Sequence, residues 1–152
     1  MLEGLAAATI MATKWDRKSP FINPMCGSGT IAIEAVLLAT NRKPGLFRTN
    51  YSFMHFIGYD QEVYRKELEI IRQEVTEVPD LIVIASDISE DAIEIAKANA
   101  GSAGVKDLIR FKQCDFADTF IHEDRPGVIY FNPEYGERLG DISELELTYA
   151  RI

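Results

Sequence analysis

Basic charge is in short supply in this sequence: 16 Lys and Arg stand against 24 Asp and Glu, a formal net charge of −8. Non-specific affinity for nucleic acid comes mostly from Lys and Arg displacing counterions at phosphates, so this chain is not expected to grip nucleic acid by itself. Sulfur and imidazole are scarce too. The two cysteines, Cys26 and Cys114, have no Cys-x-x-Cys spacing, and the two histidines, His55 and His122, sit in no ligand-like cluster. A metal centre or a redox pair is therefore not expected, and both thiols should be reduced. No apolar run approaches the length that spans a bilayer, and the opening Met1-Leu2-Glu3-Gly4 lacks the basic start of a signal peptide. The expectation is a soluble, cytoplasmic protein with no membrane partner.

Apolar residues, by contrast, are plentiful. With 47% hydrophobic content in 152 residues, the chain can bury one core, and a single domain over residues 1–152 is expected. Its focus is Phe21-Ile22-Asn23-Pro24-Met25-Cys26-Gly27-Ser28-Gly29-Thr30, a short apolar strand fenced by Pro20 and Pro24 that runs into a glycine turn. Gly27 and Gly29 allow a tight turn and a close approach of backbone to a ligand, and the apolar run from Ile31 to Leu38 continues as a helix. A helix N-terminus meeting a glycine loop at the carboxyl end of a strand suits a nucleotide-like ligand. Alone, such a turn is a weak signal, because many strand-to-helix turns use glycine for steric reasons.

The remaining chain places further groups relative to that turn. Residues 2–14 are rich in helix formers and apolar on more than one side, as in a helix packed on a sheet. Asn41-Arg42-Lys43-Pro44-Gly45 carries stop signals for the helix after the turn. Residues 46–57 gather aromatics beside Arg48, which reads as a small hydrophobic core or, alternatively, as a surface that stacks nucleobases. A surface helix is expected over 62–77, ended by Pro79. Residues 81–86 form an uninterrupted apolar run, the pattern of a parallel strand buried on both faces, and end in Asp87. An acid at that position receives the ribose hydroxyls of a nucleoside cofactor. It lies far beyond the roughly 20 positions that separate glycine turn and acid in a dinucleotide fold, which disfavours a dehydrogenase. Ser89 can cap the next helix, with Gly101 or Gly104 ending it. Residues 109–114 alternate as a third strand that ends in Asp115-Phe116, and Val128-Ile129-Tyr130-Phe131 is a fourth. The alternation of helices and strands is that of a parallel α/β sheet.

The fourth strand runs into Asn132-Pro133-Glu134-Tyr135-Gly136-Glu137-Arg138-Leu139-Gly140. Taken together with Asn-Pro-Met-Cys-Gly-Ser-Gly-Thr about a hundred residues earlier, this resembles the S-adenosylmethionine-dependent RNA methyltransferases usually attached to a THUMP domain, often labelled N6-adenine-specific DNA methylases. The resemblance covers nearly the whole chain. It implies a Rossmann-like class I methyltransferase fold with strand order 3-2-1-4, the extra segment between the glycine turn and Asp87 being shared with the family. The complete family fold has three more strands, so the expectation is a partial fold, a truncated catalytic domain that lacks the C-terminal strands.

The resemblance also implies roles. Asn23, Pro24, Met25, Cys26, Gly27, Ser28 and Gly29 would form the S-adenosylmethionine loop, with Asp87 and Ile88 at the ribose. Asp115 would face the adenine amino group while Phe116 covers the ring, and the helix before the glycine turn would flank the methionine end. Asn132 and the Pro133 carbonyl would accept hydrogen bonds from the target amino group, and Tyr135 would stack on an unpaired or flipped base. The family usually has proline where this chain has Glu134, which restores a backbone N–H and adds a charge near the base. The substrate implied is the N2 amine of a guanine in ribosomal RNA, gripped through a separate THUMP-type domain outside this chain. Adenine-N6 methylation of DNA and a non-catalytic cofactor-binding remnant are the alternatives. An uncovered edge on the fourth strand would also favour a homodimer.

Overall fold

Pro20 and Pro24 bracket β1 (Phe21–Asn23), whose three residues are all buried. Its neighbours are β2 (Val83–Asp87) on one side and β4 (Val128–Ile129) on the other, while β3 (Arg110–Gln113) pairs with β2. All pairs are parallel and the order is β3-β2-β1-β4, as the resemblance implied. Register places Phe21 beside Val83 and Val128, and Asn23 beside Ala85. Every strand therefore delivers its carboxyl end to one edge of the sheet. The computed structural model describes residues 1–46, 48–122, 124–133 and 142–152, the side chains of 142–145 excepted.

The main core lies on one face of the sheet. Phe21, Val83 and Ala85 point into it and meet α2 (Thr30–Ala39), α1 (Glu3–Ala12) and α4 (Glu90–Ser102). Helix α2 is wedged between α1 and the sheet, which explains why nearly its whole circumference is apolar and buried. The exception is Glu34, 6% exposed and close to Glu3. Burial, and then the Glu3 charge, hold its carboxyl above the usual range. The opposite face carries a smaller buried cluster of Ile22, Ile82 and Ile84, so consecutive residues of β1 and β2 serve different faces. Trp15 closes the end of the main core, tilted against Phe21 at 4.9 Å, with its indole N–H donating to the Ser19 carbonyl at 2.9 Å.

Helix ends follow local chemistry. Ser89 accepts from the Ala92 N–H to start α4. At its other end the Val105 N–H reaches the Ala100 carbonyl and the Gly104 N–H reaches the Gly101 carbonyl, with Gly104 at φ +67°, a Schellman arrangement. Gly104, rather than Gly101, is thus the residue that ends the helix. Helix α3 (Gln61–Gln73) begins one residue before the expected start because the Asp60 carboxylate accepts from the Glu62 and Val63 N–H groups. It stops well short of Pro79 and buries no residue. The aromatic segment before it differs from the expected small core: its 3₁₀ turn (Ser52–His55) has no buried residue. Tyr51, Phe53, Tyr59 and Tyr64 pack instead on one another at the surface. A final helix, α5 (Ile142–Tyr149), follows β4.

Candidate active site

The glycine loop is a strained turn held from three sides. Met25, Gly27 and Gly29 all have positive φ, +53°, +53° and +78°. For Met25 the left-handed conformation is costly, and the surrounding bonds maintain it. The Cys26 N–H donates to the Ser86 carbonyl at 2.9 Å, the Gly29 N–H to the Cys26 carbonyl at 2.9 Å, and the Asn99 side chain of α4 to the Ser28 carbonyl at 3.0 Å. Gly29 has a second constraint, because a Cβ there would lie 2.8 Å from the Ala96 Cβ. Gly27 faces open space instead, with nothing within 4 Å of a built Cβ. One glycine thus serves helix packing, and the other leaves the loop accessible. No side chain caps α2 at Gly29, so the first N–H groups of a largely buried helix point toward the loop.

Asp87 joins β2 to that loop. Its Oδ2 accepts from the Gly27 N–H at 2.9 Å and its Oδ1 from the Ser89 N–H at 3.0 Å. Each carboxylate oxygen retains a further acceptor site. Ile88, next along, is 70% exposed at the same edge. Asp87 also affects Cys26: burial, and then the Asp87 charge, push that thiol up to about 12. Cys26 is therefore a neutral packing group, with no thiolate to act as a nucleophile.

The end of β3 is drawn to Asp87 by the Cys114 N–H, which donates to the Asp87 carbonyl at 3.0 Å. Asp115 then caps a 3₁₀ turn (Phe116–Asp118) through the Ala117 N–H at 2.9 Å and pairs with Arg151 at 3.0 Å. The backbone bond from Ala117, followed by Arg151, holds its carboxyl below the usual range. The Arg151 guanidinium also lies 4.9 Å over the Phe116 ring, and Phe116 meets Phe131 edge-on at 6.0 Å. This contact brings the turn after β3 to the residues after β4.

Asn23 links the loop to the fourth strand. Its amide donates to the Tyr130 carbonyl at 2.9 Å, while its buried Oδ1 has no hydrogen-bond partner among the described residues. Asn132 and Pro133 follow two residues later, both half-buried. Tyr135 and Glu134 lie outside the described residues, so the structure places neither. The described groups form a rim along the carboxyl ends of four strands, the usual place for a ligand on an open parallel sheet. Sequence reading missed Arg151, Asn99 and Phe131. Phe131 was legible as an apolar strand end, but the other two owe their roles to contacts between distant segments.

Comparison with known proteins identifies the family. Residues 1–152 match the family described as RMKL-like, methyltransferase domain. The chain is 44% identical over 99% of its length to "Putative RNA methyltransferase YpsC" of Bacillus subtilis (strain 168). It is 36% identical over 94% of its length to "Ribosomal RNA large subunit methyltransferase K/L" of Pseudoalteromonas atlantica. It spans 38% of the first relative and 21% of the second. Among solved structures, it superposes with a TM-score of 0.86 on SMU.472, described as a putative methyltransferase complexed with SAH, at 32% identity over 97% of this chain and 38% of that one. A structure described as a predicted N6-adenine-specific DNA methylase from Listeria monocytogenes gives 0.85 at 37% identity, over all of this chain and 41% of that one. The match over residues 1–152 shows that this chain belongs to the RMKL-like methyltransferase domain family.

Proposed function

We propose that this chain is the catalytic domain of an S-adenosylmethionine-dependent methyltransferase acting on an exocyclic amino group of a base in RNA, most specifically guanine N2 of ribosomal RNA. The observation that carries the reading is the hydrogen bond from the Gly27 N–H to Asp87, which ties the glycine loop and the acid at the end of β2 into one rim. The residues fit the cofactor. Gly27 leaves its side of the loop open, Asp87 keeps acceptor capacity for ribose hydroxyls, and the α2 N–H groups are uncapped. Phe116 offers a ring beside Asp115 for the adenine.

When bound, S-adenosylmethionine supplies an electrophilic methyl group. Asn132 and the Pro133 carbonyl act on the other reactant: by accepting its N–H groups they aim the nitrogen lone pair and stabilise the positive charge it acquires. Tyr135 is assigned the stacking of the target base. The RNA assignment draws support from the names of both relatives, its ribosomal part from the second alone, and the cofactor from the SAH complex of SMU.472. We assign the main grip on RNA to a separate THUMP-type domain of a longer protein, a reading that the acidic balance of −8 supports.

The name of the Listeria structure favours a second reading, N6 methylation of adenine in DNA. Radiolabelled methyl transfer by the full-length protein containing this domain, followed by nucleoside mass spectrometry, separates the two. Label in N2-methylguanosine from ribosomal RNA is expected. Label only in N6-methyladenine from DNA would replace the first reading with the second, and no label in either would reject both.

A further inference from the structure

Away from the strand ends, between the C-terminal ends of α2 and α4, lies a small cavity of about 170 Å³. Three cations line it, Arg42, Lys43 and Arg48, together with Gly45 and Ser102 and no acidic residue. This is unusual in a chain with 24 acids, and it has a sequence cause: no Asp or Glu occurs between Glu34 and Asp60. Among the described residues, the Arg42 side chain makes one hydrogen bond, from Nη1 to the Gly104 carbonyl at 2.9 Å, and its buried Nε has no hydrogen-bond partner. A phosphate in the cavity would make charge-assisted hydrogen bonds with the cationic side chains that line it. Lys43 touches Asn41 at 2.9 Å and Glu74 at 3.4 Å, contacts exposed enough to exchange for a phosphate.

Arg48 connects this cavity to the surface aromatics. Its guanidinium lies 4.7 Å over the Tyr51 ring, and Tyr51 stacks on Phe53 at 5.3 Å and 18°. The Tyr51 hydroxyl donates to the Gly45 carbonyl at 2.8 Å, which fixes the stack against the cavity wall. Phe53 and Phe56 are 44% and 71% exposed. Cations that follow a backbone beside exposed rings that receive bases are the two parts of a single-strand binding surface. We propose that this cavity takes a phosphate of single-stranded RNA while the Tyr51–Phe53 stack receives a neighbouring base, so that the domain holds its substrate strand at a place outside the methyl-transfer rim. The inference rests on the RNA reading above.

The test uses this chain and a fluorescein-labelled single-stranded RNA 12-mer, titrated by anisotropy at several salt concentrations. The paired variant Lys43→Glu with Arg48→Glu is compared with Lys14→Glu with Lys18→Glu, which changes the charge equally elsewhere. Losing the one phosphate held in the cavity should reduce the slope of log affinity against log salt by about 0.7 on a single strand. Affinity should fall at least about tenfold in the first pair and much less in the second. Phe53→Ala should lower affinity about tenfold with the salt slope unchanged. Equal effects of the two charge pairs would overturn the proposal. So would an undisturbed affinity in Phe53→Ala combined with full competition by inorganic phosphate, which would leave a free-phosphate site only. Calorimetry with S-adenosylhomocysteine on the same proteins keeps the two readings apart. Intact cofactor binding with no cavity effect rejects this surface alone, whereas absent cofactor binding in the wild type rejects the methyltransferase reading.

Discussion

At the scale of single residues, Asp87 has two kinds of work at once, bracing the loop through Gly27 and Ser89 and offering its remaining acceptor sites to a ligand. If those sites take two ribose hydroxyls, Asp87→Ala loses about 1.5–3 kcal/mol of cofactor affinity for each charge-assisted bond. Calorimetric titration with S-adenosylhomocysteine measures this, and wild-type affinity in the variant would remove Asp87 from the site. Cys26 gives a prediction in pH. Its folded value of about 12 lies above its ordinary 9.0, so the folded state keeps the proton that the unfolded chain releases in between. The stability this confers is complete below pH 9 and is lost as pH rises toward 12. The stability difference between wild type and Cys26→Ala should therefore shift against the wild type by about 1.4 kcal/mol per pH unit across that window. Urea unfolding at matched pH values reads it, and a constant difference would show that the thiol is not protected.

At the scale of elements, the loop depends on how closely α4 approaches α2. Gly29 meets Ala96 where a Cβ would stand 2.8 Å away, and its φ of +78° disfavours any side chain. Gly29→Ala should cost about 1–3 kcal/mol from backbone strain and a similar amount from overpacking. Adding Ala96→Gly should recover the packing part and leave the strain. Chemical denaturation of the single and double variants tests this, and no recovery would place the whole cost in the backbone. Helix α3 behaves differently. With no buried residue, it is held by its Asp60 cap and by bonds near its end, such as that from the Asn41 side chain to the Glu74 carbonyl.

At the scale of the whole molecule, the two sheet edges differ. Edge strand β3 presents Arg110 and Lys112, charges that discourage pairing with another strand. Edge strand β4 has none, and Ile129 is 43% exposed there. We expect a second copy to pair along β4. A ladder of only two residues limits such a dimer to weak, concentration-dependent association. Sedimentation across a wide concentration range would show it, and a monomer throughout would exclude pairing at this edge. Among the described residues, no helix is long and apolar enough to cross a membrane.

With the strand order implied only by the family resemblance, the positions of the strands and the identity of the glycine loop were set by the sequence alone. Both follow from local rules: apolar runs of strand length, prolines at their ends, glycine where the chain must turn, and parallel strands joined by helical crossovers. The paired Asn-Pro motifs also placed the chain in a family without any coordinates. What the tertiary structure decided were contacts between segments distant in sequence. Arg151 meets Asp115 and Phe116, Asn99 braces Ser28, and Ala96 dictates glycine at position 29. None of these leaves a periodic mark, because each depends on how two elements pack. The aromatic segment shows the same limit, since its composition suits a core and a surface stack equally. The exposure of Phe53 and Phe56, seen among the described residues, is what made it a surface.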